Sequence, residues 1–353
     1  MRRRSEGENP LSVDCLAAET ERGSDSITVL DAKLDRYAKA KFRALTMRDY
    51  ISRVLHQTQD TQKIANRLHG CGSYLVFRHY MTENKARLIA AETCKQHLLC
   101  PFCAIRRGAK MQVAYAEKVQ HVLAENPHLV PWMVTLTVKN GSDLRERYAH
   151  LQKSVKAMNK NRTRGDRGHE IMKAHGSVWS YEFKRGSGSG LWHPHTHAIW
   201  LCSSPLDVQK LSDEWRDITG DSFIIDAHPM YGDPVEAFCE VFKYAVKFGD
   251  LPLPDNWHAF ETLRGKRLIR SAGSLWGVEI PESDLDDELD DPVWVDLVFR
   301  YFHDRNIYQA CERRPFYDKK QEPVRPTGRR PMLVEPNKGY VALHLRQLQR
   351  KYG

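Results

Sequence analysis

The stretch Trp192-His-Pro-His-Thr-His-Ala-Ile-Trp200 constrains this chain more than any other part of it. In an extended strand, side chains alternate between faces, and residues two apart stand about 6.6 Å from each other on the same face. A strand here aims His193, His195 and His197 to one side, and Ala198-Ile199-Trp200 reads as its buried continuation. Imidazoles ranked on a rigid strand suit a divalent cation, and chemistry on phosphates is commonly built that way. Solvated histidines on a surface strand share the same spacing, so the neighbouring segments have to decide.

The cysteines supply the second constraint. Cys100-Pro-Phe-Cys103 has the Cys-x2-Cys spacing of a zinc knuckle, with Cys94 just before it and Cys71-Gly72 upstream. Structural zinc takes four soft ligands in a tetrahedron. Cys71, Cys94, Cys100 and Cys103 make the candidate set, and His97 competes for one position. Gly72 can adopt the positive φ that a knuckle turn favours. The Arg-rich start lacks the apolar segment of a secretory signal, and no apolar run reaches the roughly 18 residues of a membrane span. The expectation is a cytoplasmic protein with no membrane partner. In that compartment the eight cysteines read as metal ligands or buried apolar groups, not disulfides.

Composition narrows the partner. Lys and Arg total 54 against 45 Asp and Glu, a net charge of +9 that favours a polyanion, nucleic acid first. At 353 residues the chain has room for one good core and a second module or long extensions. Nothing resembles Gly-x4-Gly-Lys-Ser/Thr, so no nucleotide cofactor is expected.

The order of the predicted elements is that of an α+β fold with a largely antiparallel sheet. Residues 1–30 are polar and read as a disordered leader. Residues 31–115 read as a basic helical segment with the zinc module, including a short strand at Tyr74–Phe77 and a helix from Ala104 to Asn126. Residues 116–255 hold strands at Trp132–Val138, Val178–Phe183, Trp192–Leu201 and Phe223–Ile225. Helices there are expected at Leu144–Asn161, Asp207–Gly220 and Val235–Phe248. Residues 256–353 form a C-terminal extension, in which the acidic run Glu282–Asp291 reads as a solvated linker.

Two further groups bear on chemistry. Glu182 lies on the strand joined to the histidine strand through the Gly-Ser loop, from which an antiparallel hairpin can turn its carboxylate towards the imidazoles. Two imidazoles and a carboxylate suit Mn²⁺ or Mg²⁺ with positions left for phosphate oxygens. Glu240-Val-Phe-Lys-Tyr244-Ala-Val-Lys247 falls on a predicted helix, where residues four apart share a face. A phenol with a free pKa of about 10 becomes a useful nucleophile only when cations polarise its target and stabilise its phenolate. Glu240 is placed to deprotonate a water for a second displacement. By itself, Glu-x3-Tyr on a helix is a common pattern.

Taken together, these segments resemble the plasmid rolling-circle replication initiators of the one-tyrosine HUH endonuclease superfamily. Val134-Thr-Leu-Thr-Val138 is similar to their first motif, His193-Pro-His-Thr-His-Ala-Ile199 to the second, and Glu240-x2-Lys-Tyr-x2-Lys247 to the third. Cys71–Phe77 and Cys94–Arg107 resemble the family's cysteine-bearing region, and the likeness runs from about Cys71 to Gly277 in order. The resemblance implies a central antiparallel sheet flanked by helices, with the histidine pair on a middle strand. It implies that His195 and His197, with Glu182 as third ligand, hold the Mn²⁺ or Mg²⁺ and that His193 is a neighbour, although strand geometry alone leaves His193 open as the third ligand. Tyr244 would attack the scissile phosphate, leaving a 5′-phosphotyrosyl link and a free 3′-OH, and Glu240 would activate water to terminate. Origin DNA is the implied partner, recognised double-stranded and nicked single-stranded, with a host helicase and polymerase following and a homo-oligomer as a compatible state. Lys184, Arg185, Lys243 and Lys247 would supply backbone charge, and Trp192, Trp200 and Phe242 stacking surfaces. The rival readings are a non-catalytic zinc-stabilised DNA-binding protein, a transposase or relaxase with the same nicking chemistry, and a hydrolase acting through water alone.

Overall fold

The computed structural model describes residues 27–313, apart from 81, 165–167, 187, 232–250, 284, 288 and 290–293. In chain order the helices are α1 (Ile27–Val54), α2 (Gln59–Gly70), α3 (Pro101–Glu125), α4 (Leu144–Arg164), α5 (Val208–Thr219) and α6 (Leu253–Leu263). The strands are β1 (Tyr74–Tyr80), β2 (Lys85–Ala91), β3 (Val130–Thr137), β4 (Ala174–Arg185), β5 (Trp192–Cys202), β6 (Ile225–Pro229), β7 (Ile269–Gly273), β8 (Trp294–Phe302) and β9 (Ile307–Arg313). Two compact units divide the chain. Among the described residues, one holds residues 107–281 and the other residues 27–106 and 282–313.

The 107–281 unit is built on a five-stranded sheet, ordered β6-β3-β5-β4-β7, whose paired strands all run antiparallel. The histidine strand β5 is central and buried almost throughout, so both its faces have to be covered. On one face, Tyr115, Val119 and Val122 of α3 join Met133, Val178, Ile199 and Leu201 in an apolar cluster. On the other, Tyr148 of α4 packs edge-on against Tyr181 of β4, 5.9 Å between ring centroids. Strand period places Ile199 on the same side as His195 and His197. The histidines therefore occupy the α3 face, beyond the end of its hydrocarbon. Helices α3, α4 and α5 match their expected spans closely. Helix α6 and strand β7 had no clear signal, because each is short and takes its stability from tertiary contacts.

In the other unit, β2-β1-β8-β9 form a second antiparallel sheet. Strand β8 pairs with β1 along its full length, from Tyr74 opposite Arg300 to Tyr80 opposite Trp294. Leu75 and Phe77 of β1, with Val295, Leu297, Phe299 and Tyr301 of β8, alternate inwards. Phe77 and Phe299 meet edge to face at 6.0 Å.

One residue of the acidic run before β8 departs from the reading of a solvated linker: Glu282 and Asp287 are exposed, but Asp286 is engaged. Asp286 accepts from Leu88 N at 2.7 Å and pairs with Arg106 at 2.5 Å. The physical reason is Arg106, only 4% exposed, which needs an anion once it leaves water. Burial pushes the Asp286 carboxyl up, but the Arg106 guanidinium and the Leu88 N–H outweigh it and hold it below its ordinary 3.8. The stabilisation is therefore present above pH 3.8 and lost as pH falls through the depressed value. Asp286→Asn is expected to cost roughly 3 kcal/mol at neutral pH, because it strands a buried cation. Urea unfolding at pH 7 and pH 3 checks this; the variant should lose less stability on acidification than the parent, and an equal loss would refute the assignment.

Candidate metal centres

The register of the five-stranded sheet assembles the first centre. Glu182 of β4 stands opposite His195 of β5, and Ser180 opposite His197. On the far side of β5, Thr137 faces His195 and Thr135 faces His197. One carboxylate oxygen of Glu182 lies 2.9 Å from His195 Nε2 and 3.1 Å from His197 Nε2. All three residues are buried, at 3%, 8% and 7% exposure for His195, His197 and Glu182.

The other ring nitrogens explain why both Nε2 atoms point inwards. His197 Nδ1 is 3.0 Å from Thr135 Oγ1. His195 Nδ1 faces the His193 carbonyl at 3.3 Å, and a carbonyl can only accept. In the tautomer that would bind a metal, His195 carries its proton on Nδ1, towards that carbonyl, and presents the Nε2 lone pair to the site. Two imidazole nitrogens and a carboxylate oxygen at these separations are held together either by protons or by a shared cation. Donors about 3.0 Å apart are the neighbouring corners of an octahedron with bonds of about 2.1 Å, the Mg²⁺ geometry. The three donors lie within 4.8 Å of one another, so the residues fit a divalent cation.

Sequence reasoning missed Thr135 as a partner, although its place in a Thr-Leu-Thr alternation put it on the histidine face. Thr135→Val keeps the shape and frees His197 Nδ1. It is expected to weaken Mn²⁺ binding about 10- to 100-fold. Titration followed by electron paramagnetic resonance reads this, and unchanged affinity would remove the role.

His193 is half-buried and stands outside this donor group, with Nδ1 2.7 Å from Asn140 Oδ1. Burial first, then the charges of His195 and Lys184, pull it below the ordinary imidazole range. Lys184 is exposed. Arg185 instead pairs with Asp255 at 2.5 Å and lies 4.0 Å over the Trp192 ring. Trp192 and Trp200, 1% and 0% exposed, are core residues and offer no stacking surface, a correction that follows from their packing against His258 of α6 and Trp179 of β4 respectively. Glu240, Phe242, Lys243, Tyr244 and Lys247 lie outside the described residues.

The second centre is made of sulfur. Cys71 caps α2, Cys94 follows β2, and Cys100 and Cys103 bracket the first turn of α3. Cys71 Sγ lies 3.5 Å from both Cys100 Sγ and Cys103 Sγ, and Cys94 Sγ 3.5 Å from Cys103 Sγ. Those gaps are far too long for disulfides, about 2.05 Å. They approach the edge of about 3.8 Å expected of a tetrahedron with Zn–S bonds of about 2.3 Å. His97 is exposed and outside the set of four.

Hydrogen bonds from Cys100, Cys103 and Cys71 pull the Cys94 thiol well below its ordinary range. Cys100 moves the other way, pushed up by its sulfur neighbours Cys103, Cys71 and Cys94 and by burial. Four thiols packed this closely cannot all ionise unless a cation takes the protons' place. Gly72 has φ +66°, and a Cβ there would stand 2.9 Å from Tyr308 Oη.

Fold and site together define a mixed α/β protein with antiparallel sheets and two separate donor clusters, one of imidazole and carboxylate, the other of thiols. The sequence profile of the replication protein family matches residues 85–298, and the chain belongs to that family of plasmid replication initiators. It is 28% identical over 256 residues to Protein rep of a Bacillus species, covering 60% of this chain and 78% of that one. Protein rep of Bacillus amyloliquefaciens is 27% identical over 256 residues, 60% of this chain and 71% of its own. Protein rep of Streptococcus pneumoniae is 26% identical over 176 residues, 48% and 52% respectively. No solved structure matches. Among the described residues, no helix is long and apolar enough to cross a membrane.

Proposed function

We propose that the chain is a cytoplasmic rolling-circle initiator of the HUH type, which binds its plasmid origin and nicks one strand through a covalent tyrosyl intermediate. The observation that carries this reading is the convergence of His195 Nε2, His197 Nε2 and the Glu182 carboxylate at one point on a rigid sheet, in a chain of the replication protein family. Mn²⁺ or Mg²⁺ bound there would polarise the scissile phosphate and offset its charge. Two neutral imidazoles and one carboxylate leave a divalent ion with a net positive charge, which favours a phosphate ligand.

The remaining chemistry belongs to the segment 232–250. The Tyr244 oxygen bonds to phosphorus and gives up its proton, while the 3′ oxygen leaves and takes one up. One phosphodiester is exchanged for another, so no nucleotide cofactor is consumed. Lys247 stabilises the phenolate, and Lys243 and exposed Lys184 contact the DNA backbone. Glu240 takes a proton from water in the terminating displacement. Zn²⁺ on the four cysteines stabilises the unit that carries them. Host helicase and polymerase would extend the released 3′-OH.

The test is incubation with labelled single-stranded origin DNA and Mn²⁺. A denaturation-resistant adduct should form, be absent in Tyr244→Phe, and persist longer in Glu240→Ala. An adduct unchanged in Tyr244→Phe would eliminate the nucleophile. Nicking without any adduct would favour a hydrolase, and DNA binding indifferent to Mn²⁺ without nicking would favour a non-catalytic binding protein.

A further inference from the structure

The turn that presents Cys71 is held by side chains distant in sequence. Lys41, in the middle of α1, is 0% exposed. Its ammonium donates to the His69 carbonyl at 2.5 Å and to the Cys71 carbonyl at 2.7 Å. Tyr308 of β9 donates to the next carbonyl in the turn, that of Gly72, at 2.5 Å. Gly72 N in turn bonds the Glu92 carbonyl at 2.7 Å, tying the turn to the segment that carries Cys94.

A lysine with no exposed surface is rare unless it is paired. The two carbonyl dipoles take two of the ammonium's three hydrogens but bring no full negative charge, and among the described residues Glu92 is the one carboxylate acting on it besides the sulfurs. Four thiolates around a divalent ion leave the cluster with two net negative charges, a costly state inside a protein. Burial holds the Lys41 amine below its ordinary range, and the charges of Cys71, Cys100, Glu92 and Cys94 oppose that effect.

We propose that Lys41 is the built-in cation of the sulfur centre, shaping the Cys71 turn through two carbonyls and offsetting part of the cluster's negative charge, so that the metal is retained. This rests on reading the four cysteines as a zinc site. Lys41 is a positioning residue that acts on the metal through its ligands. It accounts for burying an amine in α1 where any aliphatic side chain would fill the same space at lower cost. Lys41 and Tyr308 both lie outside residues 85–298, the span matched by the family profile. The sulfur centre therefore depends on segments flanking that span at both ends.

The experiment uses the full chain purified with its metal. Zinc content is measured first, then the rate of zinc transfer to a chromophoric chelator. Lys41→Met, close in volume and uncharged, should release zinc at least about tenfold faster, the scale on which partners of metal ligands act. Tyr308→Phe, which removes a neutral hydrogen bond from the same turn, should accelerate release less than Lys41→Met does. Wild-type release rates in Lys41→Met overturn the proposal, and an equal effect of Tyr308→Phe overturns its electrostatic part. Should Lys41→Met not fold, Lys41→Gln decides, since it keeps an N–H donor for the turn without the charge. It should release zinc faster than wild type, and wild-type release rates sink the idea. A wild-type chain without zinc refutes the zinc reading itself, a result distinct from all of these.

Discussion

His197→Ala is expected to lower the rate of strand nicking by at least about 10³-fold at saturating DNA, since metal polarisation supplies several kcal/mol to the transition state. The expectation rests on position more than on residue type. His197 is held at both ring nitrogens, by Thr135 on one side and Glu182 on the other. No other described imidazole or carboxylate joins the group of three donors. Glu182→Gln supplies the sharper comparison. The amide retains the shape and can still hydrogen-bond the imidazoles, so the sheet should remain folded while the site loses one negative charge. Mn²⁺ affinity should fall and nicking at limiting metal should fall with it, with partial recovery at high Mn²⁺. His193→Ala should do much less, because that ring is engaged with Asn140 outside the donor group. Nicking rates on labelled single-stranded DNA across a Mn²⁺ series separate these outcomes. If His193→Ala proved as damaging as His197→Ala, the choice of Glu182 as third ligand would be wrong.

The second large effect is expected at the sulfur centre. Structural zinc sites are worth about 10 to 16 kcal/mol of apparent binding free energy at neutral pH, more than most domains have in net stability. Cys100→Ser removes a ligand that is 1% exposed, at the start of α3. It should leave the chain with little zinc and strip residues 27–106 and 294–313 of their cooperative unfolding. Amide protection should collapse in β1 and β8, which pair with each other in this unit. Elemental analysis and hydrogen exchange give the readout. Undiminished zinc and unchanged protection in β1 would mean that the cysteines are merely buried thiols.

These two centres were legible in the sequence to different depths. The histidine strand and the Cys-x2-Cys turn announced themselves, because each is a short repeat set by local stereochemistry. Glu182 was harder to place, since a flexible Gly-Ser loop leaves the register of a hairpin open. Pairing from Arg185 opposite Trp192 to Ser177 opposite Trp200 decided it. The partners that orient the donors were not visible at all. Lys41 reads as one more cation on a basic helix, and Tyr308 lies in a stretch without a motif. Asp286 sits in a run of acids that ordinarily would be solvated. Each acquired its role only when a distant segment brought an unmet charge or carbonyl against it.

By itself, the sequence determined the local alternatives: which stretches extend, which coil, and which donors share a face, because backbone stereochemistry sets periods of two and 3.6 wherever the chain goes. Only the tertiary structure decided which strands became neighbours and which carboxylate met the imidazoles. It also joined β8 to β1 across more than 200 residues of chain. Register and long-range pairing depend on burying the right face of every strand at once, a free energy summed over the whole fold that no single segment contains.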